Sequence, residues 1–379
     1  MRIEQCRWTA ARGWEPRAPG GLEGPAHLAL VFGGTGTLKE RNFRGELAAA
    51  YPGAHLFGCS TAGNIYGTEV SDDSVVVTAL GFDKTRVAGA CTRTTGPHDS
   101  FAAGERLARH LLGDGLVHVF VLSDGLHVNG SELVRGLSHH LPPEVTVTGG
   151  LSADGPRFQE TLVIWDGPPA PQTVAAVALY GESLRVGYAS LGGWDAFGPE
   201  RLITRSEGNV LYELDGRSAL ELYKTYLGPH AHELPASGLL FPLSLRSEAG
   251  ETPVVRTILS VHEEEQSMTF AGDVPVGRYA RFMKANFDRL IDGAVGAART
   301  SHEAIGSAPC DVALLVSCVG RRLVLGQRAE EEVEGVRDVL GGGTVLTGFY
   351  SYGEISPFTP SARCELHNQT MTITTLAER

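Results

Sequence analysis

The chain has 379 residues, of which 42% are apolar and 20% charged, and a formal net charge of −12. That length exceeds what one hydrophobic core usually serves, so two domains are expected. The acidic balance, with no Lys/Arg run to offset it, speaks against a nucleic-acid-binding surface, and the longest apolar runs fall far short of a membrane span.

Met1-Arg2-Ile3-Glu4-Gln5-Cys6 carries charge and no apolar h-region, which is not the pattern of a signal peptide. Six cysteines without a Cys-x-x-Cys pair read as thiols, not as a disulfide framework or a local zinc site. A cytoplasmic, soluble α/β protein is the expectation. Residues 1–26, rich in Gly and Pro around 17–25, are expected to be loosely held.

Three units of the same order follow. In the first, an apolar run at 28–32 ends in Gly33-Gly34 and leads to a helical pattern at 39–50. Tyr51-Pro52-Gly53 then precedes a short strand at 54–57, the loop Gly58-Cys59-Ser60-Thr61-Ala62-Gly63 and a strand at 74–80. After a helix at 101–112, the second unit runs through 117–122, Ser123-Asp124-Gly125, a helix near 132–141 and a strand at 145–148. It closes with the loop Gly149-Gly150-Leu151-Ser152-Ala153-Asp154-Gly155 and a strand at 161–165. Gly167-Pro168-Pro169 breaks the chain there. Strands are predicted at 174–180, 184–191, 203–205 and 210–214, with a hairpin signal at Glu207-Gly208-Asn209. Asp215 is expected to cap a helix reaching Leu227, and strands follow near 239–245 and 254–261. Residues 279–305 read as one long helix with a buried stripe of Met283, Phe287, Leu290, Ile291, Ala294 and Ala298.

The third unit has a strand at 312–316, Ser317-Cys318-Val319-Gly320, a helix around 330–340, and a strand at 344–347. Gly348-Phe349-Tyr350-Ser351-Tyr352-Gly353-Glu354-Ile355 comes next and aligns position for position with Gly58 to Ile65. Glycine at both ends of a hydroxyl-rich loop lets the backbone turn sharply and approach another group closely. Self-similarity of this order predicts a structural repeat. The fold class expected is α/β, with mixed sheets covered by helices and built from repeated strand–helix–strand units with glycine-rich loops.

These residues also carry a resemblance. Tyr51-Pro52-Gly53-Ala54 through Gly63, Leu122-Ser123-Asp124-Gly125 and Thr148 through Gly155 resemble the N-terminal half of FIST proteins (F-box and intracellular signal transduction). Leu211-Tyr212-Glu213-Leu214-Asp215-Gly216 looks like the junction with the C-terminal half. Gly348 through Ile355 and Leu366-His367-Asn368-Gln369-Thr370-Met371-Thr372 are similar to the end of that half. The resemblance implies a FIST N-like domain at 27–215 and a FIST C-like domain at 216–379. It also implies an intracellular sensory module that binds a small polar ligand such as an amino acid and signals to a separate protein. Some bacterial members are described as haem-binding nitric-oxide sensors that regulate a histidine kinase, which supplies the alternative reading.

Candidate ligand-binding residues come from the loops and strand ends. Arg321 and Arg322 offer the planar fork that matches a carboxylate; the alternative is a solvated pair at a strand start. Glu354 could receive an ammonium, or form a loop salt bridge. Tyr350 and Tyr352 share a face in extended backbone, so they wall a pocket or pack in the core. Cys59, with Ser60 and Thr61, sits in a turn like that of Cys318, but a reactive thiol needs a depressed pKa and exposure; a buried, inert thiol is the plainer reading. Ser123, Asp124, Gly150, Ser152 and Asp154 bind ligand or merely satisfy turns, and Asn368 joins them from the His-Asn-Gln motif.

No cofactor is expected on the main reading. On the haem reading His367 is the candidate axial ligand, with His127 and His262 as lesser ones, while His139-His140 reads as a solvated helix end. A hydrolase or transferase is the second alternative, although no Gly-x-Ser-x-Gly elbow, Walker loop or His-Glu-x-x-His occurs.

Overall fold

In the computed structural model, which describes residues 1–246, 253–358 and 363–379, each of the three units builds the same strand arrangement. The first strands are Leu28–Gly33, Leu116–Ser123 and Val312–Cys318. The second strands, His55–Ser60, Thr146–Leu151 and Val345–Ser351, lie parallel to them. Parallel neighbours need a crossover, and helices provide it: Phe43–Ala50, Gly130–His140 and Ala329–Leu340. The third strands, Ser74–Gly81, Thr173–Tyr180 and Met371–Glu378, return antiparallel to the first. All eight residues of each third strand are buried, as expected for strands covered on both faces.

Outside each third strand lies one more antiparallel strand: Arg2–Thr9, Arg86–Arg93 and Leu184–Leu191. The residues expected to be loosely held are therefore divided. Residues 2–9 pair along their whole length with Ser74–Gly81, and Glu4 and Cys6 are buried. The Gly/Pro content of residues 17–25 does not describe the strand that precedes them.

The second strand of each unit is completed by a strand from another unit. Val163–Trp165 of the second unit pairs with the first, Gly353–Pro357 of the third with the second, and Asn64–Tyr66 of the first with the third. The registers agree: Gly58 faces Ile164, Gly149 faces Ile355 and Gly348 faces Ile65. The three units thus form a ring of exchanged edges, with Ser123 and Ser317 at matching ends of their first strands. The inner faces of the sheets share a core in which Phe32 meets Phe349 at 4.8 Å and Phe57 meets Phe120 at 6.1 Å between ring centroids.

Between the second and third units the chain forms a further eight-stranded sheet, from Trp194–Glu207 to Tyr279–Ala285, with the helix Ala219–Leu227. It has its own core around Leu211, Tyr223, Phe270 and Phe282. Two expectations change here. Tyr279–Ala285 is a strand, and the helix runs only over Phe287–Ala304, starting where Asn286 accepts a hydrogen bond from Arg289 N at 3.3 Å. Alternation of buried Ala280 and Phe282 with more exposed neighbours governs the first segment. Leu290, Ala294 and Ala298 are buried as the helical spacing predicts, whereas Phe287 is exposed. Likewise Ser218, not Asp215, caps the helix at Ala219; Asp215, at φ 51°, lies in a tight turn. The division expected at 215/216 falls inside that turn, between the paired strands Val210–Leu214 and Arg217–Ser218. Among the described residues no helix is long and apolar enough to cross a membrane.

Glycine makes the ring possible. A Cβ at Gly58, Gly149 or Gly348 would stand 1.8, 1.8 and 1.9 Å from the carbonyl oxygens of Val31, Val121 and Leu315 on the adjacent first strand. Backbone cannot yield to that overlap without moving the strand pair. Gly348→Ala is expected to lower stability by at least about 1–3 kcal/mol, whereas Gly342→Ala, with nothing within 4 Å, should stay within about 0.5 kcal/mol. Urea unfolding of the two variants against the parent checks the contrast.

Candidate functional site

The segments expected as glycine loops begin as strand, since Gly58, Gly149 and Gly348 lie within the second strands, and the exchanged edges bring the ends of these strands against one another. Ala62 N donates to Tyr350 O at 2.9 Å, Ala153 N to Ser60 O at 3.0 Å, and Tyr352 N to Leu151 O at 3.2 Å. These three bonds close a triangle, and Tyr350 N adds a return bond to Gly63 O at 2.8 Å. Two polar networks flank it in matching positions. In the first unit Thr61 Oγ1 donates to Asn64 Oδ1 at 2.7 Å, and Asn64 Nδ2 donates to Ser74 O and Oγ at 2.9 and 3.1 Å. In the third, Ser351 Oγ donates to Glu354 Oε1 at 2.6 Å, and Glu354 Oε2 accepts from Thr370 N and Oγ1 at 3.1 and 2.9 Å. The second unit differs, because Ser152 Oγ turns back to Ser123 O at 2.9 Å.

This centre gathers most of the residues singled out in the sequence, but it is closed. Thr61, Ser123, Asp124, Ser152, Asp154, Tyr350, Tyr352, Glu354 and Asn368 are all buried. Phe158 stacks on Tyr352 at 4.8 Å, and Arg322 lies over Gly63. Arg322 donates to Ala62 O and pairs with Asp72 (Nη2 to Oδ2, 2.8 Å). Its fork holds a carboxylate, but that carboxylate belongs to the chain. The same is true of Arg321, which is helical, not at a strand start, and fully buried. Its Nε and Nη2 reach Glu332 Oε2 at 3.1 and 2.7 Å, while Ser317 and Tyr350 donate to the other carboxylate oxygen. Breaking such a pair leaves a buried charge uncompensated, which costs about 3–5 kcal/mol.

The remaining candidates also have internal partners. Asp124 accepts from Leu126 N, His127 N, Thr161 Oγ1 and Gln172 N at 2.7–2.9 Å. Asp154 accepts from Phe158 N, Gln159 N and Glu160 N, and from the Tyr352 hydroxyl. Ser60 Oγ accepts from Leu162 N at 2.9 Å. Cys59 and Cys318 are buried, and burial pushes both thiols up, away from reactivity. Gly150 faces Glu354 across the strand pair, and a Cβ there would meet Val316 at 2.6 Å. Asn368 bridges to the inserted sheet, accepting from Thr257 N at 3.2 Å and donating to Tyr352 O at 3.0 Å.

His367, the candidate axial ligand of the haem reading, is enclosed, with one ring nitrogen engaged and the other without a partner among the described residues. Its Nε2 donates to Ser356 O at 2.7 Å, Nδ1 is buried, and Phe358 packs on the ring at 4.1 Å between centroids. Burial holds this imidazole down to about 4, so it is neutral, and among the described residues His367 lines neither of the molecule's two main concavities.

Those concavities are a hollow of about 590 Å³ beside residues 38–47 and a groove of about 1040 Å³. The groove lies between the two halves, with Ser131, Arg135 and Tyr188 on one side and Arg256, Asp273 and Arg278 on the other. Arg256 is buried there. Its Nε donates to Asp273 O and Nη1 to Leu366 O, both at 3.0 Å, and burial lowers its guanidinium to about 10, still charged at neutral pH. None of the ligand-binding candidates read from the sequence lines this groove. Its arginines are scattered over strands far apart in the chain, so no local motif joins them.

Glu354 has no ion pair among the described residues, and burial pushes its carboxyl from the ordinary 4.5 up to about 8, against the opposing effect of Ser351, Thr370 and Arg321. Between those two pH values the unfolded chain releases a proton that the folded chain retains. Stability from this group is therefore fully present below about pH 4.5 and is lost as pH rises to about 8. Glu354→Gln should flatten the fall of stability with pH across that window, as read from denaturant midpoints at pH 5, 6.5 and 8. An unchanged slope would place the proton elsewhere.

Residues 27–217 match the family model of the FIST N domain, and residues 219–357 that of the FIST C domain. No curated protein matches the chain. Among solved structures, a crystal structure of cyanuric acid hydrolase from A. caulinodans is similar over 100% of this chain and 99% of that one, at 9% identity and a TM-score of 0.37. So distant a likeness carries nothing about chemistry. With both of its domains matched in order along most of the sequence, the chain belongs to the FIST family.

Proposed function

We propose that the protein is a sensory module that binds a small carboxylate-bearing metabolite, such as an amino acid, in the groove between its halves and reports occupancy to a separate signalling protein. FIST domains are associated with sensing in signal transduction, and one observation favours this groove. In a chain of net charge −12 it is lined by Arg135, Arg256, Arg278 and Arg363 against Asp273 and Glu365. Arg278 and Arg363 have no ion pair among the described residues. Free guanidinium forks suit a carboxylate, and the two acids can receive an ammonium.

Because both halves line the groove, a ligand that bridges them favours the closed arrangement only by its differential affinity for it. That closure would alter the surface offered to a partner. A binding role is preferred to catalysis because the hydroxyls of Ser60, Ser152 and Ser351 engage backbone or carboxyl groups, not an imidazole or a lysine.

Calorimetry against a panel of amino and dicarboxylic acids tests the reading. The parent should bind at least one member, and Arg278→Ala should weaken it about 10- to 100-fold, the loss of one charged hydrogen-bonding fork. Arg322→Ala should lower stability and leave affinity within about twofold. Absence of binding across the panel, or equal affinity in Arg278→Ala, would remove the groove from consideration.

A further inference from the structure

We propose a divalent-metal site, suited to zinc, formed by Glu105, His139 and His140 at the lip of the groove. It rests on side chains that the metabolite reading does not use. The helices Ser100–Leu111 and Gly130–His140 cross at unusually close range, because glycines face each other's backbone. A Cβ at Gly104 would stand 2.4 Å from Leu133 O, and one at Gly136 would stand 2.0 Å from Phe101 O. This contact brings Glu105, the neighbour of Gly104, against the last turn of the second helix, where His139 and His140 project.

Glu105 Oε1 lies 2.9 Å from His140 Nε2 and 4.0 Å from His139 Nε2. The three ligand atoms all fall within 4.8 Å of one another, and the two imidazole planes are 79° apart. In a tetrahedral zinc site with bonds near 2.0–2.2 Å, ligand atoms stand about 3.4 Å apart, so each needs to move by about 0.7 Å at most. His140 and Glu105 are partly shielded, with side-chain exposures of 26% and 20%, while His139 is 61% exposed and gives access.

Arg109 Nη2, 3.2 Å from Glu105 Oε1, is the competing cation; its side chain is 59% exposed and free to turn into solvent. One carboxylate and two imidazoles are a ligand set that zinc accepts, and three protein ligands leave a fourth position for water or an exogenous ligand. His139 also lines the groove, so the ion would border that space. Metal binding displaces protons from its ligands and therefore tightens as pH rises.

The test is titration of the chelator-stripped full chain with zinc chloride against a chromophoric zinc indicator. Visible absorption with cobalt(II) in place of zinc reports the geometry. The parent should take one equivalent and give a tetrahedral cobalt spectrum. His139→Ala, His140→Ala and Glu105→Gln should each weaken binding at least about tenfold, with unchanged melting temperature in the absence of metal. His232→Ala, at an exposed histidine beside Glu233 that is not part of the cluster, should bind like the parent. A parent that takes up no zinc at micromolar concentration, or one whose affinity survives all three substitutions, overturns the site. The outcome does not depend on whether the groove binds a metabolite.

Discussion

The close approach of each second strand to its first, permitted by Gly58, Gly149 and Gly348, is the constraint on which the rest of the molecule depends. With a side chain at any of the three, the parallel pair would open, and the strand donated from the neighbouring unit would lose its partner. The loops that follow these glycines would then no longer meet in the hydrogen-bonded triangle. Local steric freedom at three positions thus sets the long-range order of the ring.

The triangle explains why the most conspicuous residues in the sequence are interior ones. Serines, threonines, a glutamate and an asparagine at the ends of buried strands must find partners within the protein, since an unmet polar group there costs about 1–3 kcal/mol. They find them in each other and in loop amides. The open, cationic space lies instead where the inserted sheet meets the second unit, and its walls owe their position to Asn368, Gln369 and Arg256 joining that sheet to the ring.

Much of the ring was legible in the sequence, because its signals are local: apolar strands, glycine turns and the alignment of Gly58–Ile65 with Gly348–Ile355 recur in order. The convergence of the loops was legible only as a repeated motif, since nothing in the sequence shows that each unit gives an edge strand to another. Arg321 illustrates the limit. Its type and place in a turn suit a ligand clamp, yet Glu332, eleven residues on and one helix away, neutralises it. The strand Tyr279–Ala285 was hidden because its apolar residues also satisfy helical spacing over a short window, until Asn286 marks the true helix start. The groove had no sequence signal, because its charges come from segments related only by tertiary packing.

The cyclic exchange of edges has a further consequence for how the chain can be divided. Although two family domains meet near residue 218, the N-terminal half alone would present Thr146–Leu151 without Gly353–Pro357, and the hairpin at Asn64–Tyr66 without Val345–Ser351. Such bare strand edges are templates for association. The last link of the ring, between residues near 65 and 348, also spans most of the chain, so it forms only after long loops have closed. Exchanging one half of this chain independently of the other is therefore physically disfavoured: the halves are partners in one hydrogen-bonding circuit, and a change of strand register in either must be answered in the other.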